Sequence, residues 1–291
     1  MALEHFGILL GFLGALFQSF NYAFAKDCAE KYALKGLRQL IVVHIGLGLM
    51  VVIPFFALNL IEHISTQLIF DTLWASVPYL VAQYLMIVTL TMTDSSVVSP
   101  LLTLKIPVLA LIAVSLLDQS FNLNQIIAIF MIIGLGFIFS SISGRIKLLP
   151  LFLVTVVGFM YAVSDLGMAA FMDHYPGDRL SSIIALICYQ FMFCGIIALP
   201  FLWIKSYNLS FAHVKYSGKI AVTWMISDIF FVTSFNLAGV VQTSIVQSLR
   251  SVLGVVIAYL FYSQYIKDHN TFKKKMAIAI FMFIAVTLYY L

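Results

Sequence analysis

The chain has 291 residues, of which 63% are hydrophobic and 10% charged, with a mean hydropathy of +1.06 and a formal net charge of +4. A soluble domain carries about 45–50% apolar and about 25% charged residues, so this composition excludes a soluble globular fold, and it is too apolar to remain disordered. The surplus apolar surface has to face lipid, and Cys28, Cys188 and Cys194 offer neither a disulfide framework nor a CxxC pair.

A bilayer core takes about 20 apolar residues per helix, and ten apolar stretches follow one another without the two-residue alternation of a membrane barrel. The first, roughly 6–25, follows a start without basic residues and is expected to be a retained helix rather than a cleaved signal. Its Gly7 and Gly11 form a GxxxG suited to close internal helix packing, and Gln18, Asn21 and Tyr22 add polarity farther along. The second, roughly 37–58, holds His44, whose imidazole titrates near neutral pH. The third, roughly 72–92, carries Gln83, with Tyr79 near its start and so expected in the interfacial aromatic belt. In the fourth, roughly 97–117, Pro100 and Pro107 bracket Lys105, which predicts a distorted helix beside a charge.

The fifth stretch, roughly 124–142, and the tenth, roughly 273–291, contain almost nothing polar within their spans beyond the three lysines that open the tenth. They are expected at the lipid-facing periphery. The sixth, roughly 149–170, brings Tyr161 and Asp165, and the seventh, roughly 181–204, brings Tyr189 and Gln190. Trp224 and Asp228 lie one turn apart in the eighth, roughly 219–238, which also holds Asn236. Gln247, Arg250 and Tyr259 lie in the ninth, roughly 244–263.

Charge placement checks the count. Of the sixteen basic residues, Lys105 and Arg250 fall inside spans, Arg179 falls in an even-numbered connection, and the remaining thirteen fall in odd-numbered ones. Lysine and arginine collect on the cytoplasmic side, so both termini are expected outside the cytoplasm.

The halves also match each other at an offset of about 146 residues: Gly11-Phe12 meets Gly158-Phe159, Pro54-Phe55 meets Pro200-Phe201, and the run ending at Lys105 overlays the one ending at Arg250. Five helices per half is an odd number, so the second half enters the bilayer from the opposite side. The expected fold is all-α and polytopic, with ten transmembrane helices as two inverted five-helix repeats, 1–145 and 146–291. Such repeats place a substrate site near the bilayer midplane and alternate its access by rocking.

Five plus five helices, short connections and a basic residue inside spans 4 and 9 resemble the drug/metabolite transporter superfamily, EamA-type. The family's acidic-basic turns read here as Leu116-Leu117-Asp118-Gln119 and Phe261-Tyr262-Ser263-Gln264. The resemblance implies a cavity lined by helices 1–4 and 6–9, a bias toward export, and cytoplasmic termini; on the last point the charge distribution says the opposite.

An ionisable side chain at mid-bilayer costs about 2.5–3.5 kcal/mol on insertion scales and is seldom idle. Lys105, Asp165, Asp228 and Arg250 are the four such groups, with Gln18 aligned to Asp165, Gln83 to Asp228, His44 to Gln190 and Tyr79 to Trp224. Lysine and arginine can snorkel to the headgroups, and either aspartate could serve a structural salt bridge. The functional alternative gives Lys105 and Arg250 an anionic group to hold and gives Asp165 and Asp228 an ammonium or a coupling proton, with Trp224, Tyr161, Asn21, Gln18, Gln83, His44 and Gln190 around them. Both signs suit a zwitterion. The expected function is therefore secondary transport of an amino acid or related amine by alternating access with proton coupling. An exporter of organic cations, resting on Asp228 and Trp224, is the alternative; a membrane enzyme built on two aspartates is the remote one.

No phosphate loop, dinucleotide fingerprint or HExxH occurs, and the six histidines are scattered singly. Neither a cofactor, a metal nor ATP hydrolysis is expected. The expected partners are a small-molecule substrate and the lipid bilayer, with no nucleic acid, in a monomer or homodimer.

Overall fold

The computed structural model describes residues 2–92, 98, 100–116, 120–144, 147–250, 252–254, 256–257 and 269–290. Tyr259, Arg145, Lys267, the turns at 117–119 and 261–264, and the side chains of Tyr22 and Lys26 lie outside the described residues. The described residues are helical, with no strand. We label the long elements α1 (Ala2–Tyr32), α2 (Leu37–Ala57), α3 (Thr66–Met92), α4 (Lys105–Leu116), α5 (Leu123–Ser143), α6 (Leu148–His174), α7 (Arg179–Ala198), α8 (Gly218–Ala238), α9 (Val240–Gln247) and α10 (His269–Tyr289). Seven of them (α1, α2, α3, α5, α6, α7 and α8) are long and apolar enough to cross a bilayer, as in an integral membrane protein.

Boundaries follow local chemistry. α1 outruns its apolar stretch because the polar tail stays helical, with Lys31 paired to Asp27 one turn back at 2.9 Å. α4 starts at Lys105 after a 3-10 turn, Leu102–Leu104. Pro107, in the first turn, has no N–H to offer, but the first N–H groups of a helix have no intrahelical partner anyway. α5 opens on a capping box between Asn122 and Gln125, and α7 on Asp178, which accepts from the Ser181 backbone N–H at 2.9 Å. Gly239 alone separates α8 from α9, at a φ of 93° that side chains rarely tolerate.

The helices pack in antiparallel pairs, α1 on α8, α3 on α6, α2 on α7 and α5 on α10, with α4 against α6 and α9, and α9 against α1. Glycines permit the closest approaches. A Cβ on Gly7 would come within 2.8 Å of Leu237, one on Gly48 within 2.9 Å of the Gly195 Cα, and one on Gly167 within 2.6 Å of the Ala75 backbone nitrogen. The expected GxxxG contact is thus internal, between α1 and α8. Serines lock the same seams: Ser227 donates to the Gly14 carbonyl at 2.9 Å and Ser164 to the Ala75 carbonyl at 2.6 Å. Such bonds contribute about 0.6 kcal/mol each on average within a bilayer.

Candidate functional site

A cavity of ≈ 250 Å³ lies among α1, α2, α3, α4, α6, α8 and the chain from α9 to Arg250. It reaches Gly36, Gln39 and Leu90, where α1 turns into α2 and α3 ends. Gly36 and Leu90 are exposed, so this is the mouth. The opposite end, where the 3-10 turn Leu60–His63 joins α2 to α3, is filled by buried Phe55, Phe171, Tyr175 and Tyr189.

Four formal charges line the cavity, and they are not equivalent. Lys105 and Asp165, both buried, form a direct salt bridge. Lys105 Nζ also donates to Gln247 Oε1 at 3.1 Å. Arg250 donates to Gln18 Oε1 at 3.2 Å, and Gln247 Nε2 reaches the same oxygen at 3.4 Å. Lys105, Gln247, Gln18 and Arg250 therefore form one linked chain from α4 through α9 to α1. Among the described residues neither Arg250 nor Asp228 makes an ion pair.

Asp228 sits in an aromatic corner. Trp224, one turn before it on α8, lines the same cavity. Tyr79 meets Trp224 at 6.3 Å between ring centroids and 78° between planes, and Tyr161 lies 6.5 Å beyond Tyr79. His44 backs the corner, its ring edge-on to Trp224 at 5.6 Å. Its Nδ1 lies 2.8 Å from the Leu40 carbonyl, which can only accept, so Nδ1 carries the proton. Its Nε2, 3.0 Å away, then accepts from the Tyr79 hydroxyl.

Gln18, Asn21, Tyr79, Gln83, Lys105, Tyr161, Asp165, Trp224, Asp228 and Arg250 all line the cavity. Asn21 faces it while donating to the Ile220 carbonyl at 2.8 Å. Two expected residues do not line it. His44 stands behind the wall, both ring nitrogens engaged. Gln190 is buried in α7, which contributes no lining residue, and its Nε2 has no hydrogen-bond partner. Tyr79 is not a belt residue: α3 begins at Thr66, which moves Tyr79 to mid-helix, 5% exposed.

The same longer helix takes in a further buried carboxylate, Asp71, in its second turn and close to the closed end rather than deep in the span. Asp71 is fully buried and accepts from Gln67 at 3.1 Å; its other oxygen lies 2.8 Å from His174 Nδ1 at the end of α6. Sequence reasoning missed it by one residue of boundary. Gln39 at the mouth was missed too; only its place one turn before Val43 on α2 would have suggested it.

No protein-family profile and no curated protein matches the chain. A solved structure described only as "Crystal structure of protein" superposes with a TM-score of 0.65 at 11% identity, covering 98% of this chain and 97% of the other. The two share a fold. That likeness spans both halves and all the helices that line the cavity, and at this identity it extends to the backbone alone.

Proposed function

We propose that this chain is a secondary transporter of a small zwitterionic metabolite, an amino acid or related amine, built as ten membrane helices in two inverted repeats. The observation that carries the reading is the cavity itself, in which one carboxylate and one guanidinium, Asp228 and Arg250, face a common space without counter-ions among the described residues. Both are half-buried, and a charge held part-way out of water without a counter-ion is costly. A ligand bearing both an ammonium and a carboxylate would satisfy both groups, whereas the Lys105–Asp165 pair is already neutral. Apolar Met86, Ile87, Phe231 and Val232 complete a wall suited to the ligand's uncharged part.

Two further regularities support the repeat. Exchanging each helix for the one five places on turns α1–α8 into α6–α3 and α1–α9 into α6–α4, and returns α2–α7, α4–α9 and α5–α10 to themselves. The lining residues obey the same rule. Tyr79, Gln83, Met86, Ile87 and Leu90 of α3 correspond, 145 residues on, to Trp224, Asp228, Phe231, Val232 and Phe235 of α8. Lys105 and Arg250 are separated by the same 145.

The test is uptake of labelled amino acids into proteoliposomes under an imposed pH gradient. Asp228→Asn should abolish flux or its pH dependence while leaving the purified protein folded; unchanged flux at several pH values would overturn the reading. The aromatic corner favours a second ligand class, organic cations held against ring faces. Arg250→Gln separates the two, since it should abolish zwitterion flux and spare that of a monovalent organic cation.

A further inference from the structure

The cavity is asymmetric in a way the repeat makes informative. At the start of α2 its wall runs through Gly36, just before the helix, and Gln39, Leu40 and Val43. At the 146-residue offset that aligns His44 with Gln190, these become Ser182, Ala185, Leu186 and Tyr189 on α7. On α1 the wall includes Ala25, whose partner at the 147 residues separating Gln18 from Asp165 is Met172 of α6. All five partners are buried, Ala185 and Leu186 completely, in the closed end of the bundle. Gly36 is exposed and Ala25, Gln39 and Leu40 are half-buried where their partners are buried; Val43 alone is as buried as its partner, Tyr189.

We infer that the closed end holds a second vestibule, walled by Ser182, Ala185, Leu186 and Tyr189 of α7 with Met172 of α6, and that Tyr189 is its gate. This rests on the inverted-repeat reading above. The Tyr189 hydroxyl donates to the Leu60 carbonyl at 2.7 Å, pinning α7 to the turn between α2 and α3. Its ring contacts Phe55 at 5.3 Å and Phe171 at 5.4 Å between centroids, and Phe171 stacks on Tyr175 at 5.9 Å. One hydrogen bond and a block of rings therefore seal the end that the cavity does not reach. Gln190 gives an independent sign. Its buried Nε2 lacks an acceptor here, a costly arrangement that water or ligand relieves once α7 is wetted from this side. By the same exchange Gln190 then takes the place that His44 holds here, directly behind the wall.

The experiment is side-specific labelling with a membrane-impermeant maleimide in vesicles of both orientations. Cys28, Cys188 and Cys194, free and buried in this structure, are first replaced by alanine. Ala185→Cys reports the second vestibule and Gln39→Cys the open mouth. Ala185→Cys should react only from the side bearing the α2–α3 turn. Tyr189→Phe removes one hydrogen bond and should raise that rate by about fivefold while lowering the rate at Gln39→Cys from the other side. Inert Ala185→Cys in both backgrounds, beside reactive Gln39→Cys, overturns the vestibule. A rise at both sites overturns the gate, because general loosening moves both the same way. If Tyr189→Phe does not fold, Phe171→Leu weakens the same closure and is read identically. Labelling needs no substrate, so reciprocal labelling without flux would sink the transport reading and leave this inference standing.

Discussion

Asp165 and Asp228 project into one cavity from facing helices, yet their surroundings give them different work. Asp165 is bound to Lys105, and both are buried. Removing one partner leaves a buried uncompensated charge, so Lys105→Met should lower unfolding stability by about 3–5 kcal/mol. The double variant Lys105→Met/Asp165→Leu should recover most of that loss, because well-packed apolar replacements of buried pairs are often neutral. Thermal unfolding in detergent checks both, and an additive double variant would show that the pair is not coupled. Asp228 has no such partner, so Asp228→Asn should leave the unfolding midpoint near that of the parent while flux is lost. Two carboxylates indistinguishable in sequence would then separate into a structural role and a ligand-facing one.

Helix seams carry the next scale. α2 and α7 cross where Gly48 and Gly195 touch, and a Cβ on Gly195 would come within 2.8 Å of the Gly48 Cα, an atom of the backbone. Gly195→Ala must push the helices apart, and overpacking of this kind costs about 1–3 kcal/mol. Gly134 in α5 has nothing within 4 Å of such a Cβ, so Gly134→Ala should be neutral or slightly stabilising through helix propensity. Comparing the two midpoints isolates the contact from the substitution. α7 also depends on its first turn. The Ser181 hydroxyl and backbone N–H both donate to Asp178 and hold its carboxyl below the ordinary carboxylate value. A depressed folded-state pKa means the cap's contribution is present above the unfolded value of about 3.9 and fades as pH falls through the folded one. Amide protection factors at Ser181 and Ser182, taken relative to the intrinsic exchange rate at each pH, should therefore fall at acid pH, and Asp178→Ala should show the lower protection at every pH.

At the scale of the whole molecule, the membrane-embedded helical class is legible from composition alone, and the alignment of Lys105 with Arg250 and Gln83 with Asp228 already names residues that share a cavity. The sequence is less informative about where polar positions lie relative to helix ends. Asp71 and Tyr79 are misplaced because α3 extends through Thr66 and Gln67, polar residues that hydropathy assigns to a loop but that an N-terminal helical turn accepts readily. Nor does hydropathy distinguish a residue that lines a cavity from one packed directly behind its wall, which is why His44 and Gln190 are expected in the site and found outside its lining. Orientation is the remaining consequence of charge. Lys35 and Lys205 belong to the basic connections, at the same end as the mouth formed by Gly36, Gln39 and Leu90. If lysine and arginine hold that end in the cytoplasm, the cavity described here opens inward, the side from which the proposed carrier would load for export. Lys35→Cys should then resist an impermeant thiol reagent in intact cells, and Ser65→Cys, at the turn before α3, should react. The reverse pattern would put the mouth outside.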